Sequence, residues 1–563
     1  MPTVEVERED LEFLLGLKLP VDPEKLDELL SFIKGEVKYA DEEEIHIDVK
    51  DSNRADLWSV EGIARALKGM LNIEKGLKRY EVAGSSNVEV TVDPRLRNIR
   101  PYIACAVIKN VKLSDAAIRH IMRFQDKMDQ TYGRSRRRTS IGLYDFDLIT
   151  PPLRYTVSKP NETRFVPLGF SEELTLAEIL EKHPKGIEYG HIVKPFSTWP
   201  IFIDSKSKVL SFPPIINSND LGRVTKATGN VLVEVTGTSY KTVLYTLTNI
   251  TAALADRGGA IYSAEIHYPY GNLKRAVTPD LKTEKMSISV DYIREVIGIP
   301  LTIQEVTGLL ERARYGVSKA AENEIIVEIP CYRPDIMHPI DIVEDIAIAY
   351  DLNRMEPKWP QISTVGGLSR ETRLRNLVRE LMVGLGYQEI LTFTLTNPDV
   401  LFKRMNIPPE RVVEVANPKV SSMTCLRSWL LPNLMEFLSR NTHVEYPQRI
   451  FEVGYCVLHD EKRTNKTRDV EKLACVTIHS NAGFSEAKSA LDALLTNLGV
   501  GYQLKETTHG SFIEGRVGKI IIREEAVGLI GEIHPLVLQN WSLENPAAAF
   551  EINLNKIWRY PKP

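Results

Sequence analysis

Residues 331–345 read CYRPDIMHPIDIVED, and four carboxylates, Asp335, Asp341, Glu344 and Asp345, fall within this one run. Taken as a helix from Pro339, a residue suited to a first helical turn, PIDIVEDIAIAY turns about 100° per residue. That gathers Asp341, Glu344 and Asp345 into one sector and sends Ile342, Val343, Ile346, Ala347, Ala349 and Tyr350 to the other side. Asp335 stands just ahead of the helix and could fold back toward the same sector. An acid near a helix N-terminus gains from the helix dipole, which accounts for Asp341. It accounts less well for the trio, because Asp341/Glu344 and Asp341/Asp345 are like charges at spacings that repel on a helix. A cation would remove that repulsion, and an oxygen-only set suits magnesium or calcium, not zinc. Basic residues of a partner chain would do so as well.

The elements that must position these acids fall into four blocks. Residues 1–85 alternate short strands and helices (TVEVER, DPEKLDELLSFI, EEIHIDV, NRADLWSVEGIARALKGM), an α/β unit whose last helix could start at Asn53 or Asp56. Residues 86–275 are richer in strands such as NVEVTV, YIACAVI and NVLVEVTG, with helices capped at Thr175/Glu178 and ended at Gly258–Gly259. Residues 276–355 predict a small helical unit with a strand pair, its second helix boxed by Thr302 and Glu305. Residues 356–563 open with the helix ETRLRNLVRELMVGLG and continue in strands (QEILTFTLT, RVVEVA, QRIFEVGYCVL, KLACVTI, KIIIREEAVGLIGEI, AAAFEINL), which predicts an antiparallel sheet with helices on it. The whole is a multidomain α+β chain.

The composition narrows the class. A chain of 563 residues with a formal charge of −4 is not one whose affinity comes from a broad basic surface. Five scattered cysteines form no CxxC pair and predict a reduced, cytoplasmic protein. No run of about 18 apolar residues predicts a membrane span.

The run CYRPDIMHPIDIVEDIAIAYDLNRMEP resembles the B5 domain of the phenylalanyl-tRNA synthetase β subunit. NRADLWSVEGIARAL resembles that family's N-terminal signature, PPIINSNDLGRVTKATGNVLVEVTGTS its B3/B4 domain, and NPKVSSMTCLRSWLLPNLMEFLSRN with RIFEVG and GEIHPLVLQNW its class II synthetase-like module. The form is similar to the archaeal and eukaryotic one, with no recognisable insert or tail for anticodon contacts. The resemblance implies an (αβ)₂ heterotetramer whose α subunit uses ATP to attach phenylalanine to tRNA(Phe). It also implies that Asp335, Asp341, Glu344 and Asp345 hold a magnesium ion shared with that subunit.

The C-terminal module is expected to be catalytically silent. An active one needs arginines to hold ATP, and GLIGEIHP (Gly528 to Pro535) has none. Arg427, Arg449 and Glu452 remain, the last two expected as a strand-edge ion pair. In the B3/B4 stretch the resemblance implies editing of mischarged Tyr-tRNA(Phe). Its polar candidates are Ser211, Asn217, Ser218, Glu234, Thr236 and Thr238. Glu234 and Thr236 share one strand face, and Glu234 is expected to receive the tyrosine hydroxyl while Thr236 and Asn217 position the ester or a water. The basic stretch GRSRRRTS, with Arg134, Arg136, Arg137 and Arg138, is either a solvated hairpin loop or a contact for tRNA phosphates. A scaffold that supports the α subunit and orients tRNA without editing is the alternative.

Overall fold

The computed structural model of the chain describes residues 3–271, 273–321, 323–360 and 364–558, in two compact units, Met1–Lys358 and Trp359–Pro563. The first unit contains three principal sheets. In the N-terminal one, Glu44–Val49 lies between Thr3–Glu7 and Gly35–Ala40, all antiparallel. Alternation buries Val4, Val6, Ile45 and Ile47 against the helices Arg8–Leu15, Pro23–Ser31 and Val60–Met70. The third helix starts later than Asn53 or Asp56, because Ser59 is its cap and accepts from the Gly62 amide. Asp56 is instead paired with Arg54 at 2.8 Å, with both side chains largely shielded from water.

The ten-stranded second sheet runs from Val82–Val92 to Arg275–Thr278, overshooting the expected limits of 86 and 275. The polar stretches VAGSS and RAVT join by ladder hydrogen bonds to Ala260–His267, which need no apolar pattern. Val231–Gly237 lies in its interior, antiparallel to Tyr102–Lys109 on one side and Thr139–Asp145 on the other, and is buried at every residue. Val231, Val233 and Val235 pack into the core shared with helices Asp115–Gln130 and Tyr240–Asp256, while Leu232 packs into the opposite one. Glu234 and Thr236 share the Leu232 face by strand alternation. Polar side chains so placed need partners, because desolvation without them is costly.

The third sheet has three strands, Glu284–Ser289, Gly316–Ala321 and Glu324–Ile329, not a pair. Gly316–Ala321 is an exposed edge strand whose small and polar residues carry little hydrophobic signature. Helices Val290–Ile297, Ile303–Arg312 and Pro339–Tyr350 complete this part, and the Thr302/Glu305 and Thr175/Glu178 capping boxes both form.

The second unit is built on a seven-stranded sheet, antiparallel except where Gln388–Glu389 joins Gln448–His459. Apolar cores lie on both of its faces. RVVEVA forms no strand, only a bridge from Glu414 to Cys425, and QEILTFTLT is reduced to Gln388–Glu389 and Leu395–Thr396. Alternation supplied the pattern there, but the pairing is two residues long at Gln388–Glu389 and Leu395–Thr396 and a single bridge at Glu414. Among the described residues no helix is long and apolar enough to cross a membrane.

Candidate functional site

A cavity of about 170 Å³ in the second sheet's domain is lined by Ser211, Asn217 and Glu234, together with Phe212, Arg136 and Lys185. Three residues singled out from sequence therefore meet at one place. Glu234 sits opposite Gly142 on the neighbouring strand, and a Cβ at Gly142 would come within 2.5 Å of Glu234 Oε2. The glycine thus leaves room for the carboxylate and for Tyr144, whose hydroxyl donates to Glu234 Oε2 at 2.7 Å and lies 2.8 Å from Ser211 Oγ. The other oxygen, Glu234 Oε1, is buried without a hydrogen-bond partner among the described residues. Burial pushes the Glu234 carboxyl up to about 7, although Tyr144 and Arg100 pull the other way.

Thr236 does not line the cavity but braces it from behind. Its Oγ1 accepts from Arg100 Nε at 2.9 Å and lies 3.1 Å from Ser140 Oγ. The buried Arg100 also donates to the carbonyls of Thr236 (2.7 Å) and Arg136 (3.0 Å), and burial lowers its pKa. Asn217 is half-buried and donates to the Leu143 carbonyl at 3.2 Å. Ser218 accepts from Leu221 N and serves the turn, while Thr238 is exposed beyond the strand end. Phe212 lines the cavity; Phe202 packs edge-on against Tyr144 in the core. Sequence reasoning missed Tyr144, Gly142 and Arg100. The available signal was a tyrosine and a glycine in the strand SIGLYD, since a buried tyrosine hydroxyl needs a polar partner.

The four arginines of GRSRRRTS do not act together. The segment is a helix-to-strand connection rather than a hairpin loop. Arg136 is buried, 2.9 Å from Asp129 and donating to the carbonyls of Pro214 and Ile215, so it braces the wall of the cavity that it also lines. Burial pushes Asp129 up to about 7 despite Arg136. Arg138 is half-buried against Thr242, and Arg134 and Arg137 face solvent.

The acidic quartet is likewise divided. His338 caps Pro339–Tyr350, and Asp341 completes the box by accepting from the amides of Met337 and His338 at 2.8 Å. Glu344 is exposed and bonded to Lys34. Asp335 and Asp345 turn inward to the buried Arg333, each at 2.8 Å, and Tyr315 donates to Asp345. Burial works to raise the Asp345 pKa, but Arg333 and Arg54 overcome it and hold the carboxyl low. The shared acidic sector is thus split by depth, and among the described residues no group of three His, Cys, Asp or Glu is placed to hold a metal. Within this chain the Arg333 guanidinium already neutralises Asp335 and Asp345. Similar pairs join the neighbouring elements, Arg65 to Asp256 at 2.7 Å and Arg257 to Asp10 at 2.7 Å and to Glu61.

In the second unit Arg449 and Glu452 do not pair with each other. Three residues apart on one strand, they point to opposite faces. Arg449 meets Glu486 and Glu452 meets the buried Arg427, both at 2.8 Å. The arginines of the second unit's RIFEVG and TCLRS are therefore tied into ion pairs.

The family model described as the tRNA synthetase B5 domain matches residues 286–352, and that described as the phenylalanyl tRNA synthetase beta chain CLM domain matches residues 355–554. Fold and matched domains define a subunit of an aminoacyl-tRNA synthetase. The chain is 46% identical over 563 residues to the phenylalanine–tRNA ligase β subunit of Pyrococcus furiosus, covering 99% of this chain and 100% of that protein. It is 45% identical over 564 residues to that of Pyrococcus horikoshii, with 100% of both covered. The crystal structure of an N-terminal fragment of the P. horikoshii phenylalanyl-tRNA synthetase β subunit matches with a TM-score of 0.59 at 42% identity, over 62% of this chain and 99% of that one. The chain belongs to the phenylalanine–tRNA ligase β-subunit family.

Proposed function

We propose that this chain joins an α subunit in a cytoplasmic (αβ)₂ phenylalanine–tRNA ligase, and that it hydrolyses mischarged Tyr-tRNA(Phe) in the cavity around Glu234. The α subunit would carry the ATP-dependent attachment of phenylalanine to tRNA(Phe). An apolar pocket rejects an added hydroxyl by only about a hundredfold, so an accurate enzyme gains from a second site with a partner for the phenol. The observation that carries the reading is Glu234 itself, a buried carboxyl with one oxygen fixed by Tyr144 and the other unpaired beside a cavity. A tyrosine hydroxyl would hydrogen-bond to Oε1, and phenylalanine would leave it unpaired at a cost of about 1–3 kcal/mol.

Asn217 and Ser211 are the polar groups on the same wall that would orient the ester or a water. Among the described residues no histidine or cysteine lines the cavity, so hydrolysis would use a positioned water and the tRNA's own terminal hydroxyl. The magnesium ion implied by the acids belongs in this proposal only at the join with the α subunit, where Arg333 would have to release Asp335 and Asp345. In the holoenzyme, Glu234→Ala is expected to slow Tyr-tRNA(Phe) deacylation about tenfold or more while phenylalanine charging is retained. Unchanged deacylation would remove Glu234 from the site, and wild-type enzyme without any deacylation would leave a scaffold and tRNA-orienting role.

A further inference from the structure

The second unit contains a cavity of about 390 Å³, lined by Trp429, Leu431, Phe512, Leu529, Lys472 and Lys519 among others. Cross-strand register explains its make-up. Lys519 pairs with Leu529, and Leu529 with Glu551, so the three side chains stand in a row on one sheet face. Asn553 pairs with Lys472 in the adjoining row. The four lining cations, Arg468, Lys472, Lys519 and Lys556, face one lining carboxylate, Glu551.

That carboxylate is already committed. Glu551 Oε2 accepts from the amides of Leu430 and Leu431 at 2.9 and 3.0 Å, holding the start of helix Leu431–Arg440, and Oε1 accepts from Lys472 at 2.8 Å. Lys472 donates a second hydrogen bond to the Ser428 carbonyl at 3.1 Å. An ammonium has three donors, so one remains for the cavity. Lys556 is paired with Glu525 at 2.8 Å. Arg468 and Lys519 are exposed and have no carboxylate partner among the described residues.

The geometry points to a binding site for a small aromatic organic anion, its ring against Trp429, Leu431 and Leu529 and its acidic group beside Lys472, with Arg468 and Lys519 adding positive charge at the two ends of the cavity. An apolar, concave wall with a few convergent polar groups is what such ligands require, and the uncompensated cations set the sign of the ligand. The site lies in the module whose GLIGEIHP segment carries no arginine, and it stands independently of the editing reading.

The test uses the holoenzyme and 8-anilinonaphthalene-1-sulfonate, an aromatic body with one sulfonate. Fluorescence titration is expected to show saturable binding at one probe per copy of this chain. The double variant Arg468→Glu/Lys519→Glu should weaken that component at least tenfold, and Leu529→Trp, which fills the cavity, should remove it. Retained phenylalanine charging in both variants shows that the assembly is folded. Displacement of the same component by adenosine 5′-monophosphate assigns a phosphate ligand, and displacement by 3-phenylpropionate a carboxylate. No saturable component, a component retained in either variant, or displacement by neither competitor overturns the proposal.

Discussion

Glu234 shows how one residue departs from the rule of its strand. Its sequence neighbours Val233 and Val235 pack into the core on the other face, and burial pushes the Glu234 carboxyl up to about 7 against an ordinary 4.5. Asp129 moves from 3.8 to about 7 for the same reason, and the two influence each other's titration. Both pKa values are raised on folding, so the native protein keeps protons that the unfolded chain has released. Their contribution to stability is therefore fully present below about pH 4 and is lost as pH rises toward 7. Hydrogen exchange of Val231–Gly237, corrected for intrinsic rates, is expected to show protection declining over that window, and Glu234→Gln should flatten the Glu234 share. Ser211, Asn217 and Glu234 were legible because turn and strand periodicity say which polar groups can face a cavity. Tyr144 and Arg100 were not, since their roles come from strands and loops brought together over long sequence separations, Tyr144 to Glu234 and Arg100 to Thr236.

At the level of elements, periodicity gave the side a residue faces but not its depth. The helix Pro339–Tyr350 does present Asp341, Glu344 and Asp345 on adjacent sides, yet Asp345 is buried and Glu344 exposed, because Arg333 reaches under the helix from the preceding turn. One magnesium ion per αβ pair is the expectation for the holoenzyme by metal analysis, with its loss on chelation weakening the subunit contact. A metal-free holoenzyme of unchanged assembly would leave Arg333 as the counter-ion. Within the second sheet, Gly142 sets the distance between two strands' polar groups. Gly142→Ala is expected to displace Tyr144 from Glu234, cost about 1–3 kcal/mol of stability, and lower deacylation while leaving phenylalanine charging in place. The capping boxes were readable from three-residue spacing alone, because both partners of each box lie in the same turn. The edge strand Gly316–Ala321 was not, because its hydrogen bonds to Glu324–Ile329 leave little trace in side-chain type.

For the whole molecule, the order of the B5 and C-terminal modules was legible and the strand limits less so, since backbone ladders extend past the apolar runs that announce them. The second unit's Arg427 and Arg449 are held by Glu452 and Glu486, and assay of this chain alone for phenylalanine-dependent ATP–pyrophosphate exchange is expected to give none. Robust exchange would contradict a silent module. The buried pairs Arg65–Asp256, Arg257–Asp10 and Arg54–Asp56 have a different bearing. Stripping water from a charge becomes less unfavourable as temperature climbs, whereas the gain from hiding hydrocarbon levels off. Ionic joinery of this kind gives the first unit links that lose less ground in hot water than greasy ones would.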